Sequence, residues 1–286
     1  MDVDRFDRSF QTDALTRVAV VGHVEWVEFA RVDRVPAPGE IVHASETWQE
    51  PAGGGAVAAV QLTRLAGECL FLTALGDDEL GHRALRGLEQ LGVRVEAVWR
   101  PEPQRRAFVY VDAAAERTIT VIGGRMGPHG ADELPWSELA DADAVYFTAG
   151  DTGALRAARA ARQLVATTRA NDVLIPAQVQ LDVLVRSARD PDEHYVELEP
   201  RPQFVAETDG ATGGSLLAAD GTDARWDAAP PPGPPVDAYG AGDSFAAGLT
   251  YGLAQGLPPL EAVEVGARCG AACLTGRGPY GAQLRL

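Results

Sequence analysis

From Ala144 onward, short apolar runs alternate with longer segments rich in small residues, and that alternation leaves few folds open. Ala144 to Thr148 is expected as a strand and Leu155 to Thr168 as a helix. Val173 to Ile175, Val183 to Val185, Phe204 to Thr208 and Ser215 to Ala218 read as further short strands. Asp243 to Gln255 and Pro259 to Leu274 read as closing helices. Strands that alternate with helices pair in parallel, because each helix carries the chain back to the same end of the sheet, and helices then cover both faces. The chain opens in the same way. Arg17 to Val21 is a Val-rich strand ending at Gly22, and Gly53-Gly54-Gly55 leads into an apolar helix, Ala56 to Leu65. Cys69 to Leu75 is a second buried strand, and Leu80 to Leu91 an amphipathic helix stopped by Gly92. Two stretches break the alternation. Val32 to Glu40 is a turn-rich excursion before a weakly alternating Ile41 to Trp48. Phe108 to Val111 and Thr118 to Ile122 flank a turn-like segment as a hairpin.

The 286 residues suit one α/β domain over 17–286, with a charged, patternless arm at 1–16. A net charge of -16 argues against nucleic acid and against anionic membranes as partners. Cys69, Cys269 and Cys273 are too scattered for a disulfide framework or a zinc site. No apolar run approaches a membrane span and no signal peptide precedes the first strand, so a soluble, cytoplasmic protein is expected. Abundant Ala, Arg and Gly with scarce Lys fits a GC-rich bacterial genome.

Asp237-Ala238-Tyr239-Gly240-Ala241-Gly242-Asp243-Ser244-Phe245 carries the chemistry. A small-residue turn feeds a helix N-terminus, where backbone N–H groups are free to hold an anion, and a carboxylate stands directly after it. Phosphoryl transfer to a hydroxyl needs that pair: a base for the proton, and N–H groups for the charge on the moving phosphoryl. Taken alone, the same residues also read as an ordinary helix start capped by Asp243 or Ser244.

Several motifs, in order, add to this stretch. They are Val20-Val21-Gly22, Pro38-Gly39-Glu40, Gly53-Gly54-Gly55, Leu75-Gly76-Asp77-Asp78-Glu79-Leu80-Gly81, and Thr208-Asp209-Gly210-Ala211-Thr212-Gly213. Together they resemble the ribokinase-like (PfkB) family of carbohydrate and nucleoside kinases, from about Val18 to Gly281. The resemblance implies a three-layer α/β/α fold with a mainly parallel central sheet and a small β-sheet lid, at about 28–50 and 105–122. It implies transfer of the γ-phosphate of ATP to a hydroxyl of a small metabolite: a sugar, sugar acid, nucleoside or related ring compound. Asp243 becomes the general base and Gly240, Ala241 and Gly242 the anion hole. Thr208, Gly210 and Gly213 become the nucleotide-side turn, and Gly53 and Gly54 the glycines that meet substrate hydroxyls. Asp237 matches a position that helps bind a monovalent cation such as K+ in the ribokinase branch. A lid of this kind often pairs two subunits, which makes a lid-mediated homodimer an expectation.

The chain departs from the family at four places. Val27 stands where an Asp bonds sugar hydroxyls, with Glu25 close enough in sequence to supply a carboxylate. Val57 stands where an Asn reaches the substrate. Two polar contacts become apolar, which disfavours a polyhydroxylated sugar such as ribose. The motif that organises magnesium-bound water reads Ser187 and Asp190, and Asp192 or Glu193 are the other carboxylates able to serve Mg2+. The stretch from Asp190 to Thr208 is shorter than in the family. These losses keep a second reading open, a non-catalytic relative that binds a nucleotide or metabolite as sensor or subunit. A nicotinamide enzyme is excluded, because Gly22-His23-Val24-Glu25 contains no glycine-rich turn into a helix.

Overall fold

The computed structural model describes residues 16–286, so the arm expected at 1–16 lies, but for Thr16, outside the described residues. In chain order the strands are β1 (Val18–Val21), β2 (Glu25–Arg31), β3 (Glu46–Ala52), β4 (Leu70–Gly76), β5 (Arg94–Arg100), β6 (Arg106–Val111) and β7 (Arg117–Ile122). There follow β8 (Ala144–Phe147), β9 (Gln163–Thr167), β10 (Val183–Ser187), β11 (Phe204–Thr208), β12 (Gly214–Ala218) and β13 (Asp223–Trp226). The helices are α1 (Gly54–Ala66), α2 (Glu79–Gln90), α3 (Thr152–Ala158), α4 (Asn171–Ala177), α5 (Ala241–Ala254) and α6 (Pro259–Cys273).

Nine strands form the main sheet in the order β13-β12-β11-β10-β9-β8-β1-β4-β5. All neighbours from β11 to β5 pair in parallel, and β12 and β13 extend the β11 edge antiparallel. The strand period of two sorts β1 between two cores. Val18 and Val20 pack with α1, α5 and α6, whereas Ala19 and Val21 pack with α3 and α4 on the other face. The result is the expected three-layer α/β arrangement. A second sheet of four strands, β3-β2-β6-β7, contains the expected hairpin as the antiparallel pair β6 and β7.

Helix starts follow local chemistry. The Asp78 side chain accepts from Gly81 N–H and starts α2. Gly81 has no alternative there, since a Cβ would lie 2.0 Å from the Gly76 carbonyl oxygen.

Two expectations fail. Leu155 to Thr168 is not one helix: α3 ends at Ala158 and the chain turns into β9, a central strand whose Leu164, Val165 and Ala166 are fully buried. Alanine and leucine carry helix propensity, but pairing on both sides, with β8 and β10, overrides it. Val173 to Ile175 is not a strand but the middle of α4. Only Leu174 is buried there and Ile175 is half exposed, which suits a helical period. The strand expected at Ile41 to Trp48 starts later, at Glu46. β2, β5 and β13 have no counterpart among the sequence expectations.

Candidate active site

The strand order places a crevice at one point of the main sheet. From β1 the sheet runs to β4 and β5 on one side, and from β8 to β9, β10 and β11 on the other. Loops leaving the carboxyl ends of β1 and β8 therefore part, and ligands bind at such switch points. His23 follows β1 and Thr148 follows β8, with Thr148 Oγ1 3.5 Å from His23 Nδ1.

The N-terminus of α5 lines this crevice. Gly240 caps the helix at φ 81°, a left-handed conformation suited to glycine, and no side chain caps the first turn. Ser244 N–H closes on the Gly240 carbonyl at 2.9 Å, so the first-turn N–H groups before it lack a helical acceptor. A Cβ on Gly242 would meet nothing within 4 Å, so the turn is open. Asp243 stands in the same turn with no hydrogen-bonding group among the influences on its charge. Burial pushes its pKa up to about 6, with Glu193 and Glu25 adding to the rise and Arg169 and Arg117 opposing it.

The glycines after β3 face this carboxylate. A Cβ on Gly54 would lie 2.9 Å from Asp243 Oδ1 and 3.6 Å from His23 Cε1. Gly53, at φ 87°, donates its N–H to Tyr239 Oη at 3.3 Å. Burial, then the charges of Arg125, Arg105 and Arg169, hold His23 well below the usual imidazole range, so it is neutral near pH 7.

Glu25 is buried rather than solvent-facing. Its Oε1 accepts from Arg105 Nε at 2.6 Å and lies 3.8 Å from His23 Nε2. Val27 and Val57 are both fully buried, and Val57 Cγ1 lies 3.0 Å from where a Gly240 Cβ would be. Asp237 is buried as well. It accepts Tyr239 N–H at 2.8 Å and Gly278 N–H at 3.0 Å, which ties the turn before α5 to the chain after α6. Burial raises its pKa.

Of the three carboxylates considered for Mg2+, Glu193 acts on Asp243 through its charge. Glu193 accepts Ser187 N–H at 2.7 Å and pairs with Arg169 Nε at 2.8 Å. Asp190 pairs with the same guanidinium and accepts Asp192 N–H. Among the described residues no group of three His, Cys, Asp or Glu side chains is close enough to hold a metal by itself.

The Thr208 turn lies at the carboxyl end of β11, two strands along from β9. Gly210 (φ 56°) and Gly213 (φ 88°) are both left-handed, and a Gly213 Cβ would lie 2.0 Å from the Trp226 carbonyl oxygen. Arg189 pairs with Asp209 across the turn at 2.8 Å.

Sequence reasoning did not single out His23, Tyr239, Arg105, Arg125 or Arg169. Only the two-residue cluster at Arg105-Arg106 offered any signal, and it carries no spacing that marks a site.

Fold and crevice define a class, the carbohydrate kinases. The match to the family model described as pfkB family carbohydrate kinase covers residues 15–180 and 149–284, and the chain belongs to that family. It is 31% identical to the ATP-dependent ribose-1-phosphate kinase of Halopiger xanaduensis, over 90% of this chain and 91% of that protein. Ribokinase from Thermotoga maritima superposes with a TM-score of 0.72 at 21% identity, covering 92% and 94% of the two chains. Ribokinase from Arabidopsis thaliana, solved with ribose and ATP, superposes with a TM-score of 0.69 at 18% identity, covering 93% and 94%. These two likenesses bear on the fold alone. No helix among the described residues is long and apolar enough to cross a membrane.

Proposed function

We propose that this carbohydrate kinase moves the γ-phosphate of ATP to a hydroxyl of a small metabolite, with Asp243 as general base. The observation that carries this reading is the meeting of Asp243, the open first turn of α5 and Gly54 in one crevice. Asp243 accepts the proton of the acceptor hydroxyl, and that oxygen forms its bond to the γ-phosphorus. The bond from γ-phosphorus to the β–γ bridging oxygen breaks, and ADP leaves with the electron pair. The N–H groups of the Gly240–Gly242 turn stabilise charge on the moving phosphoryl. Burial lifts the Asp243 pKa towards neutrality, which suits a base that must take up a proton and give it back.

Thr208, Gly210 and Gly213 hold the nucleotide side in this reading. Mg2+ would supply charge neutralisation on the phosphates, and Glu193, or Asp190 beside it, fits it through water, because Mg2+ keeps most of its waters and takes few protein ligands. The two carboxylates already share Arg169, which positions them before nucleotide binds. Asp237 keeps lone pairs beyond its two backbone bonds, which suits a monovalent cation such as K+ beside the anion turn.

The four-stranded sheet serves as the lid over 28–50 and 105–122, completing one domain over 17–286. Its hairpin touches the catalytic turn, since Ala238 N–H donates to the Ala115 carbonyl at 3.0 Å. Edge strand β7 exposes Ile119 and Val121 on one face and Ile122 on the other, apolar surface suited to pairing with a second copy.

The test combines thermal stability with ATP and Mg2+ across sugars, sugar acids and nucleosides with ADP release for each hit. Turnover that disappears in Asp243→Asn supports the kinase reading. Stabilisation by ATP with no ADP release from any acceptor would replace it with the binding-only alternative.

A further inference from the structure

The crevice carries a charge pattern that transfer to a neutral acceptor does not require. Besides Arg117, which acts on Asp243, three arginines from separate parts of the chain act on His23. Arg105 lies just before β6, Arg125 just after β7 and Arg169 just after β9. Arg125 Nη1 donates to the Arg169 carbonyl at 2.6 Å, and all three charges act on His23. Two of them are matched by carboxylates: Arg105 by Glu25 at 2.6 Å, and Arg169 by Glu193 and Asp190. Among the described residues no carboxylate lies within ion-pair distance of Arg125, although the charges of Asp172 and Glu25 act on it. Burial, then the charges of Arg105 and Arg169, lower its pKa, and the charges of Asp172 and Glu25 oppose them. In a chain of net charge -16, a guanidinium that has no direct ion pair and feels two other arginines is a local exception that draws in anions.

Its place relative to Asp243 assigns the anion to the acceptor rather than to ATP. Arg105 pairs with Glu25 and all three charges act on His23, and these two residues stand against Gly53: a Gly53 Cβ would lie 3.1 Å from Glu25 Cγ and 3.3 Å from His23 Cδ2. The nucleotide-side turn lies at the end of β11 and has its own arginine, Arg189. Val27 and Val57 withhold polar contacts from a polyol, so affinity must come from another group on the acceptor.

We propose that the phosphate acceptor is itself an anion, a sugar bearing a phosphate monoester or a carboxylate, whose anionic group is held by Arg125 with Arg105 beside it. This rests on the kinase reading above for which hydroxyl-bearing molecule enters the crevice. Charge-assisted arginine bonds to such a group are short, directional and forked, and one is worth about ten- to a hundredfold in affinity.

The experiment has two arms. ADP release by the wild-type protein is measured with D-ribose, D-ribose 1-phosphate, D-ribose 5-phosphate and D-ribonate. Melting of Asp243→Asn is measured with the same four compounds without ATP, so binding is read apart from turnover. The expected result is a kcat/KM at least about tenfold higher for a phosphate or carboxylate than for ribose, with the same order of stabilisation. Preference for a phosphate over ribonate, or the reverse, identifies the anionic group. Arg125→Gln raises KM for the favoured anion about ten- to a hundredfold, and Arg125→Lys restores part of it. Arg125 is exposed, so its replacement leaves no orphaned buried charge.

Ribose used as well as its phosphates, with Arg125→Gln matching wild type, overturns the proposal and leaves the kinase reading intact. Anion-selective stabilisation that depends on Arg125, without turnover of any compound, keeps the anion site at Arg125 but overturns its role as an acceptor site, and counts against the kinase reading. Failure of every anion to give either stabilisation or turnover overturns the proposal.

Discussion

Replacing Asp243 with Asn removes the proposed base and also relieves a buried charge, so the variant is expected to be inactive and more stable. The carboxylate pKa stands at about 6 against an ordinary 3.8 because burial disfavours the ionised form. A carboxyl group whose folded pKa is raised binds its proton more tightly in the native state. Its ionisation therefore leaves stability untouched below pH 3.8, erodes it between 3.8 and 6, and costs a constant amount above 6. The full rise corresponds to about 3 kcal/mol, of which about half has developed at pH 5. Asp243 is partly open to the crevice, so solvent screening brings the gain to about 1–3 kcal/mol at pH 8. In a chain of this size that is a rise of a few degrees in Tm. Thermal melting of wild type and Asp243→Asn at pH 8 and pH 5, with ADP release at both, checks the claim. The variant should melt higher at pH 8, the gap should narrow at pH 5, and turnover should be lost throughout. A variant that melts at or below wild type at pH 8, with a gap indifferent to pH, would show that the carboxylate is not a desolvated charge. Retained turnover would remove Asp243 from the base role.

Other consequences follow from the same geometry. The kcat/KM of the wild-type protein should rise about tenfold per pH unit up to about 6 and level off above it, because the base must be ionised; a flat profile across that range refutes the assignment. Gly54→Ala places a Cβ 2.9 Å from Asp243 Oδ1, the movable end of a side chain, so folding should survive. Displacing the base should nonetheless cut kcat by about ten- to a hundredfold, and an unchanged kcat in steady-state assays would separate Gly54 from the catalytic carboxylate. Gly213→Ala combines a left-handed φ of 88° with a Cβ 2.0 Å from the Trp226 carbonyl oxygen. It should destabilise by about 2 kcal/mol or more in denaturant unfolding, since the obstacle is backbone and cannot swing aside.

Much of the fold is legible in the pattern of residues along the chain. The parallel sheet and its two helical layers follow from alternation of segments, and the hairpin at β6 and β7 from a turn between two β-rich runs. The motif glycines are legible because each answers a local backbone demand: Gly53, Gly210, Gly213 and Gly240 all take positive φ. Strand β9 is not legible, because a fully buried Leu-Val-Ala run has no polar face to reveal its period. Nor is the sharing of Arg169 by Asp190 and Glu193, which depends on how one loop folds back onto Ser187.

By itself, then, the order of residues determined the layers, the sheet, the helix N-terminus and the carboxylate on it. Those features rest on preferences that act within a few residues. Only the tertiary structure decided what surrounds that carboxylate. Arg105 reaches Glu25 across 80 residues, and Arg125 reaches the Arg169 carbonyl across 44. Charge acts through space with no regard for chain separation, so the potential in the crevice, and with it the kind of acceptor it suits, appears only once the sheet has brought those residues together.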